Sequence, residues 1–123
     1  NKISEEKYKT YFDIVSLFFD LLKQDKALVT YTKNELDIRY IDIKKNLLLL
    51  GSDEVLLKYL EFDKNSLDKN SSSKKIKSYL ELFILIRKDS GNPKTILTID
   101  HLIKSISATE KDYQEIKTMI SEK

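Results

Sequence analysis

The sequence predicts an all-α fold: a compact bundle of about five to six helices, with two long antiparallel helices and a buried central one. Three observations carry this. Gly occurs twice and Pro once in 123 residues, too few for a fold built on tight turns. Apolar residues recur at three- and four-residue spacing through most of the chain, the period of one helix face. Ser or Thr followed by acidic residues marks helix starts at Ser4, Thr32, Ser52, Thr98 and Thr109, where a side-chain oxygen serves the free N–H groups of a first turn.

The first helix is expected from about Glu5 to about Lys23, with Ile3 and Tyr8 bracketing its cap. Its apolar stripe is Tyr8, Phe12, Val15, Phe19 and Leu22, widened by Tyr11, Phe18 and Leu21. Residues 27–31, Ala-Leu-Val-Thr-Tyr, are rich in β-branched and aromatic types and read as a short extended segment or loop. Thr32 and Glu35 then form a capping box. Leu36, Tyr40, Ile43, Leu47 and Leu50 make a helix-packing seam, and Gly51 supplies a left-handed stop.

Ser52 starts the next helix at once, burying Val55, Leu56, Tyr59, Leu60 and Phe62. Residues 63–73 are polar apart from Leu67 and read as an exposed, mobile loop. The helix after it carries Ile76, Tyr79, Leu80, Leu82, Phe83, Ile84 and Ile86, apolar on most sides, and is the expected central helix. Gly91 and Pro93 end it. A short helix after Thr98 and a last one after Thr109 complete a single domain spanning residues 1–123. The start at Asn1 without a Met leads to the expectation of a fragment of a longer chain.

Composition excludes several chemistries. No Cys is present, so disulfides, thiolate catalysis and Cys-based metal sites are out. The net charge of +2, from 22 basic and 20 acidic residues, gives no strong field for nucleic acid or anionic lipid. Only Arg39 and Arg87 among the basic residues are Arg, the type suited to bidentate phosphate contacts. No apolar run approaches the roughly 18–20 residues of a membrane span. Phosphate-cradling loops need more Gly than the chain has, and the acidic pairs Glu5-Glu6 and Asp53-Glu54 sit where helix dipoles favour them.

The residues that invite a functional reading are few. Arg87 lies on an apolar helix face, and a buried Arg needs a partner; it is either half of a core-edge ion pair or a binding-site residue. Lys74, Lys75 and Lys77 stand in a first turn, where positive charge opposes the helix dipole. A bound anion would relieve that conflict; a solvated surface is the simpler account. A weak nucleic-acid or anion site would draw on the stretch from Lys64 through Lys69 to Lys77. A metal-dependent hydrolase or nuclease would use Asp89, Asp100 and His101, but metal-ligand spacing such as H-E-x-x-H is absent, and His101 fits a surface position in a first helical turn. The reading favoured over both is a non-enzymatic protein-interaction or scaffolding domain without cofactor or metal. Its expected partner is another protein or a second copy of itself, not nucleic acid.

Two strings add context. Leu50-Gly51-Ser52-Asp53-Glu54-Val55, followed by Tyr59, Leu60, Glu61 and Phe62, is similar to a GSDEV motif. Ile86-Arg87-Lys88-Asp89-Ser90-Gly91, followed by Lys94-Thr95 and Leu97-Thr98, is similar to an RKDxG motif. Together, over roughly residues 32–106, they resemble a family of uncharacterised bacterial proteins, many of them with an N-terminal transmembrane helix and a helical cytoplasmic domain; Ser90 stands where that family usually has Leu. The resemblance implies a cytoplasmic domain, tethered to the inner membrane through a segment that this sequence does not include.

Overall fold

A computed structural model describes residues 2–66 and 72–121, and among these the only regular secondary structure is α-helix. Six helices follow in order: α1 (Lys2–Asp25), α2 (Lys33–Leu50), α3 (Asp53–Ser66), α4 (Ser72–Asp89), α5 (Ile99–Ile106) and α6 (Glu110–Ser121). Four of the expected caps are in place. Thr32 Oγ1 accepts from Glu35 N–H, Ser52 Oγ from Val55 N–H, Thr98 Oγ1 from His101 N–H, and Thr109 Oγ1 from Asp112 N–H. Ser4 is the exception: α1 already starts at Lys2, so Ser4 lies inside it. The helices cluster into two compact units, Asn1–Leu56 and Leu57–Lys123, and the boundary falls within α3.

In the first unit α1 packs on α2. Three links fix the direction. Gln24 Oε1 accepts from Tyr31 N–H at 2.7 Å, Asp20 pairs with Arg39 at 2.9 Å, and Tyr11 Oη accepts from Ser52 N–H at 3.1 Å. Each step back along α1 meets a step forward through α2, so the two run antiparallel as expected. The expected seam of α2 is also found, with Ile43 and Leu47 buried and Leu36, Tyr40 and Leu50 half-buried.

The face of α1 differs from expectation. Tyr11, Ile14, Leu17 and Phe18 are buried, whereas Tyr8, Phe12 and Phe19 are exposed. Two adjacent stripes on this helix both step by three and four residues, and periodicity alone does not say which one meets a neighbour. Thr10, buried beside the packed stripe, donates its hydroxyl to the Glu6 carbonyl at 2.9 Å, the i−4 bond that satisfies a hydroxyl inside a helix.

Residues 27–31 are non-helical, in keeping with their composition. Ala27 adopts φ 60°, and Leu28 N–H donates to the Lys23 carbonyl at 2.9 Å. This is the six-to-one bond of a Schellman stop, made by a residue that has a Cβ. Gly51 behaves differently from the expected left-handed stop. Its φ is −76° in an extended conformation, and its N–H donates to the Leu47 carbonyl. A Cβ there would lie 2.9 Å from Leu47 Cδ2, at the movable end of that side chain, and 3.0 Å from the Leu47 carbonyl oxygen, so Gly eases a close approach to the preceding turn.

In the second unit α4, α5 and α6 all pack on one another. α4 contributes the most buried residues: Ser78, Tyr79, Leu80, Leu82, Phe83 and Ile86. Its expected central role therefore holds within this unit. Phe62 of α3 meets Tyr79 edge-on at 4.6 Å, and Tyr79 meets Phe83 edge-on at 4.9 Å, the arrangement that ring quadrupoles favour. Gly91, at φ 100°, is the left-handed stop expected after α4, and Asn92 N–H closes onto the Arg87 carbonyl at 3.0 Å. The polar stretch 63–73 is shorter as a linker than expected, because α3 continues to Ser66 and α4 begins at Ser72. The mobility expected of its middle concerns residues 67–71, outside the described residues.

Candidate interaction surface

α2 has two apolar faces. One is the seam turned toward α1. The other carries Ile38, Ile41, Leu48 and Leu49, which are 60%, 64%, 66% and 77% exposed. Asp42 and Lys45 are exposed between them, and among the described residues neither forms an ion pair. Four aliphatic side chains at that exposure leave on the order of 500 Å² of apolar surface on one helix, within the range of roughly 300–600 Å² that marks the largest patch of a typical monomer. A helix apolar on both sides is normally covered on both sides. The exposed aromatic stripe of α1, with Phe12 at 69%, is a second uncovered surface in the same unit.

Sequence reasoning found the seam of α2 and expected more apolar surface on the first two helices than a small bundle buries, but did not name the residues of this outer face. The signal was present in Leu47-Leu48-Leu49-Leu50. At about 100° per residue, four consecutive leucines sweep too wide an arc to meet one neighbouring helix.

The residues singled out beforehand are dispersed. Arg87 sits half-buried in the last turn of α4 and donates from Nε to Thr95 Oγ1 at 3.3 Å. Among the described residues no carboxylate pairs with it, so the expected core-edge ion pair is replaced by a bond to a hydroxyl. That bond, with the Asn92 N–H on its own carbonyl, makes Arg87 the anchor of the turn that follows α4. Lys74 and Lys77 are exposed, and the Lys75 ammonium lies 6.0 Å from the Phe62 ring centroid, within reach of a cation–π contact. Lys64 is exposed at the end of α3; Lys69 lies outside the described residues.

Asp100 and His101 serve structural ends. The Asp100 carboxylate accepts from the Tyr113 hydroxyl and lies 3.3 Å from Lys104 Nζ and 3.9 Å from Lys117 Nζ. The Tyr113 hydroxyl, then the Lys104 and Lys117 ammonium groups, hold this carboxyl below its ordinary range. The result is a polar tie between α5 and α6. His101 closes a capping box in which its Nδ1 accepts from Thr98 N–H at 3.0 Å; the imidazole takes the place more often held by Glu or Gln. Asp89 is half-buried at the end of α4. Among the described residues no three His, Asp or Glu side chains converge as metal ligands.

One shallow cavity of about 290 Å³ lies in the second unit, lined by Lys58, Glu81, Ile84, Leu85 and Ile99. Lys58 spans it, 2.9 Å from Glu61 and 3.8 Å from Glu81, so its polar groups are engaged with each other. The cavity sits at the lower limit of small-molecule sites.

Comparison of the chain with family models, with curated proteins and with solved structures gives no match. Among the described residues no helix is long and apolar enough to cross a membrane.

Proposed function

We propose that this chain is a non-enzymatic interaction or scaffolding domain whose contact surface is the outer face of α2. The observation that carries the reading is the set Ile38, Ile41, Leu48 and Leu49, more than half exposed on a helix whose opposite face is already packed. A patch of this size is often a contact site, because a partner that covers it removes apolar area from water. The engagement of Asp100, His101, Lys58 and Arg87 in local structural bonds supports a binding role over a catalytic one. The near-balanced charge supports a protein partner over nucleic acid. A cytoplasmic setting, with a tether upstream of Asn1, accords with the resemblance of the GSDEV and RKDxG strings to the bacterial family.

Photo-crosslinking tests the reading. A photoreactive residue is placed at Ile41 or Leu48, and at Lys111, whose side chain is 84% exposed, as the control. In the native host, adducts of discrete mass are expected from the two α2 positions and not from the control. Adducts no different from those at Lys111 would refute an interaction role for this face.

A further inference from the structure

We infer that the partner of the outer α2 face is a second copy of this chain, with the two α2 helices antiparallel across a twofold axis. The inference rests on the interaction reading above and names its partner. Asn34, Ile38, Ile41, Lys45 and Leu48 are spaced 4, 3, 4 and 3 residues apart, the spacing of a seam between two paired helices. All five are exposed. An unrelated partner would need to supply both an apolar stripe and a matching charge pattern. A second α2 supplies both.

The charges decide the orientation. With the axis at the level of Ile43, Ile38 of one copy falls level with Leu48 and Leu49 of the other. Ile41 then meets the aliphatic stem of Lys45, and the Lys45 ammonium reaches Asp42 of the other copy. Because an interface of this symmetry is self-complementary, every such pair occurs twice. A parallel arrangement would set Lys45 against Lys45 and Asp42 against Asp42, which like-charge repulsion disfavours. Asp42 and Lys45 are both exposed, and neither is committed to an ion pair among the described residues, so both are free to pair across the axis.

Size sets the expected strength. The aliphatic patch is on the order of 500 Å² per copy, and flanking polar residues bring the total toward the roughly 1,200 Å² at the lower end of specific interfaces. An interface of that size fits a reversible dimer rather than an obligate one.

The test uses the purified chain in sedimentation velocity across a concentration series, with circular dichroism to confirm folding. A monomer–dimer equilibrium is expected. Asp42→Lys and Lys45→Asp should each weaken the dimer by about tenfold or more, since each places two like-charge contacts in the interface. Mixed in equal amounts, the two variants should form a heterodimer near wild-type strength, because all four charges then face opposites. Leu48→Lys should leave a folded monomer. A chain that is monomeric at millimolar concentration would overturn the inference. So would a dimer indifferent to Leu48→Lys, or single variants that fail to rescue each other. A monomeric chain that still gives adducts with another protein at Ile41 and Leu48 would reject self-pairing and leave the interaction reading intact. A monomer with no adducts would remove both.

Discussion

Leu47 and Leu48 are neighbours on α2 with opposite environments, and truncating each in turn tests the face assignment. Leu47 is fully buried, whereas Leu48 is 66% exposed. Leu→Ala removes three carbon atoms, worth about 0.8 kcal/mol each in transfer alone, or about 2.4 kcal/mol at a buried site. The cavity left behind adds to this, so Leu47→Ala should cost about 3–4 kcal/mol. For Leu48 only the covered third of that area is lost, which puts the cost below about 1 kcal/mol. Urea denaturation followed by circular dichroism measures both. At a slope of about 1–3 kcal/mol per molar, Leu47→Ala should lower the midpoint by roughly 1–4 M, and Leu48→Ala should move it by less than about a quarter as much. The work belongs at low protein concentration, because self-association would stabilise the native state by mass action and make Leu48 look structural. Equal losses at the two positions, or a larger one at Leu48, would refute the assignment of inner and outer faces.

Three further perturbations follow from local structure. Tyr11→Phe removes the acceptor for Ser52 N–H and should cost about 1–2 kcal/mol in the same denaturation assay; Tyr8→Phe, on the exposed stripe, should cost almost nothing. Ala27→Gly relieves a left-handed backbone held by a residue with a Cβ. Set against the greater freedom of Gly in the unfolded chain, the net gain is about 0.5–1 kcal/mol, read as a melting temperature a few degrees higher. Asp100 has a folded-state pKa below its unfolded value, with the Tyr113 hydroxyl as the main cause. It therefore contributes stability that is present above the ordinary carboxylate range and lost as pH falls through the lowered value. Melting temperatures measured down through that acidic range should fall less steeply for Asp100→Asn than for the parent chain, starting from a lower value at neutral pH.

Helix order and most boundaries were legible because capping is local chemistry. Thr32, Ser52, Thr98 and Thr109 each need only the N–H groups two or three residues on, and all four act as read. Ser4 failed for the same reason: a local cap signal does not fix a boundary when the chain before it is also able to be helical. Gly51 was expected as a left-handed stop, but its backbone is extended, and what a Cβ there would crowd is the Leu47 side chain and carbonyl one turn back. Arg87 was expected in an ion pair or a binding site because a guanidinium on an apolar face needs partners. The partner found is a hydroxyl eight residues on, across a turn shaped by Gly91 and Pro93, and sequence spacing carries no sign of which nearby acceptor the turn will deliver.

The choice of faces is where sequence and structure part most clearly, and the reason is informative. On α1 the stripe Tyr8, Phe12, Val15 and Phe19 and the stripe Tyr11, Ile14, Phe18 and Leu21 have the same period. On α2 the seam through Ile43 and Leu47 competes with the one through Ile38, Ile41 and Leu48. A single neighbouring helix covers one stripe of roughly 100°, so pairing α1 with α2 satisfies one seam on each. The sequence encodes more apolar seam than that pairing consumes. For an isolated unit the surplus would be a liability to solubility, and polar substitution at exposed positions is easily tolerated. The surplus on α2 is also interrupted in an ordered way, by one acid and one base three residues apart. Randomly scattered charge would break the stripe without making it self-complementary. In the proposed dimer, Asp42 and Lys45 break it at positions that an antiparallel twofold at the level of Ile43 brings within reach of each other, so the surface would keep its hydrophobic drive while selecting one orientation of a second copy.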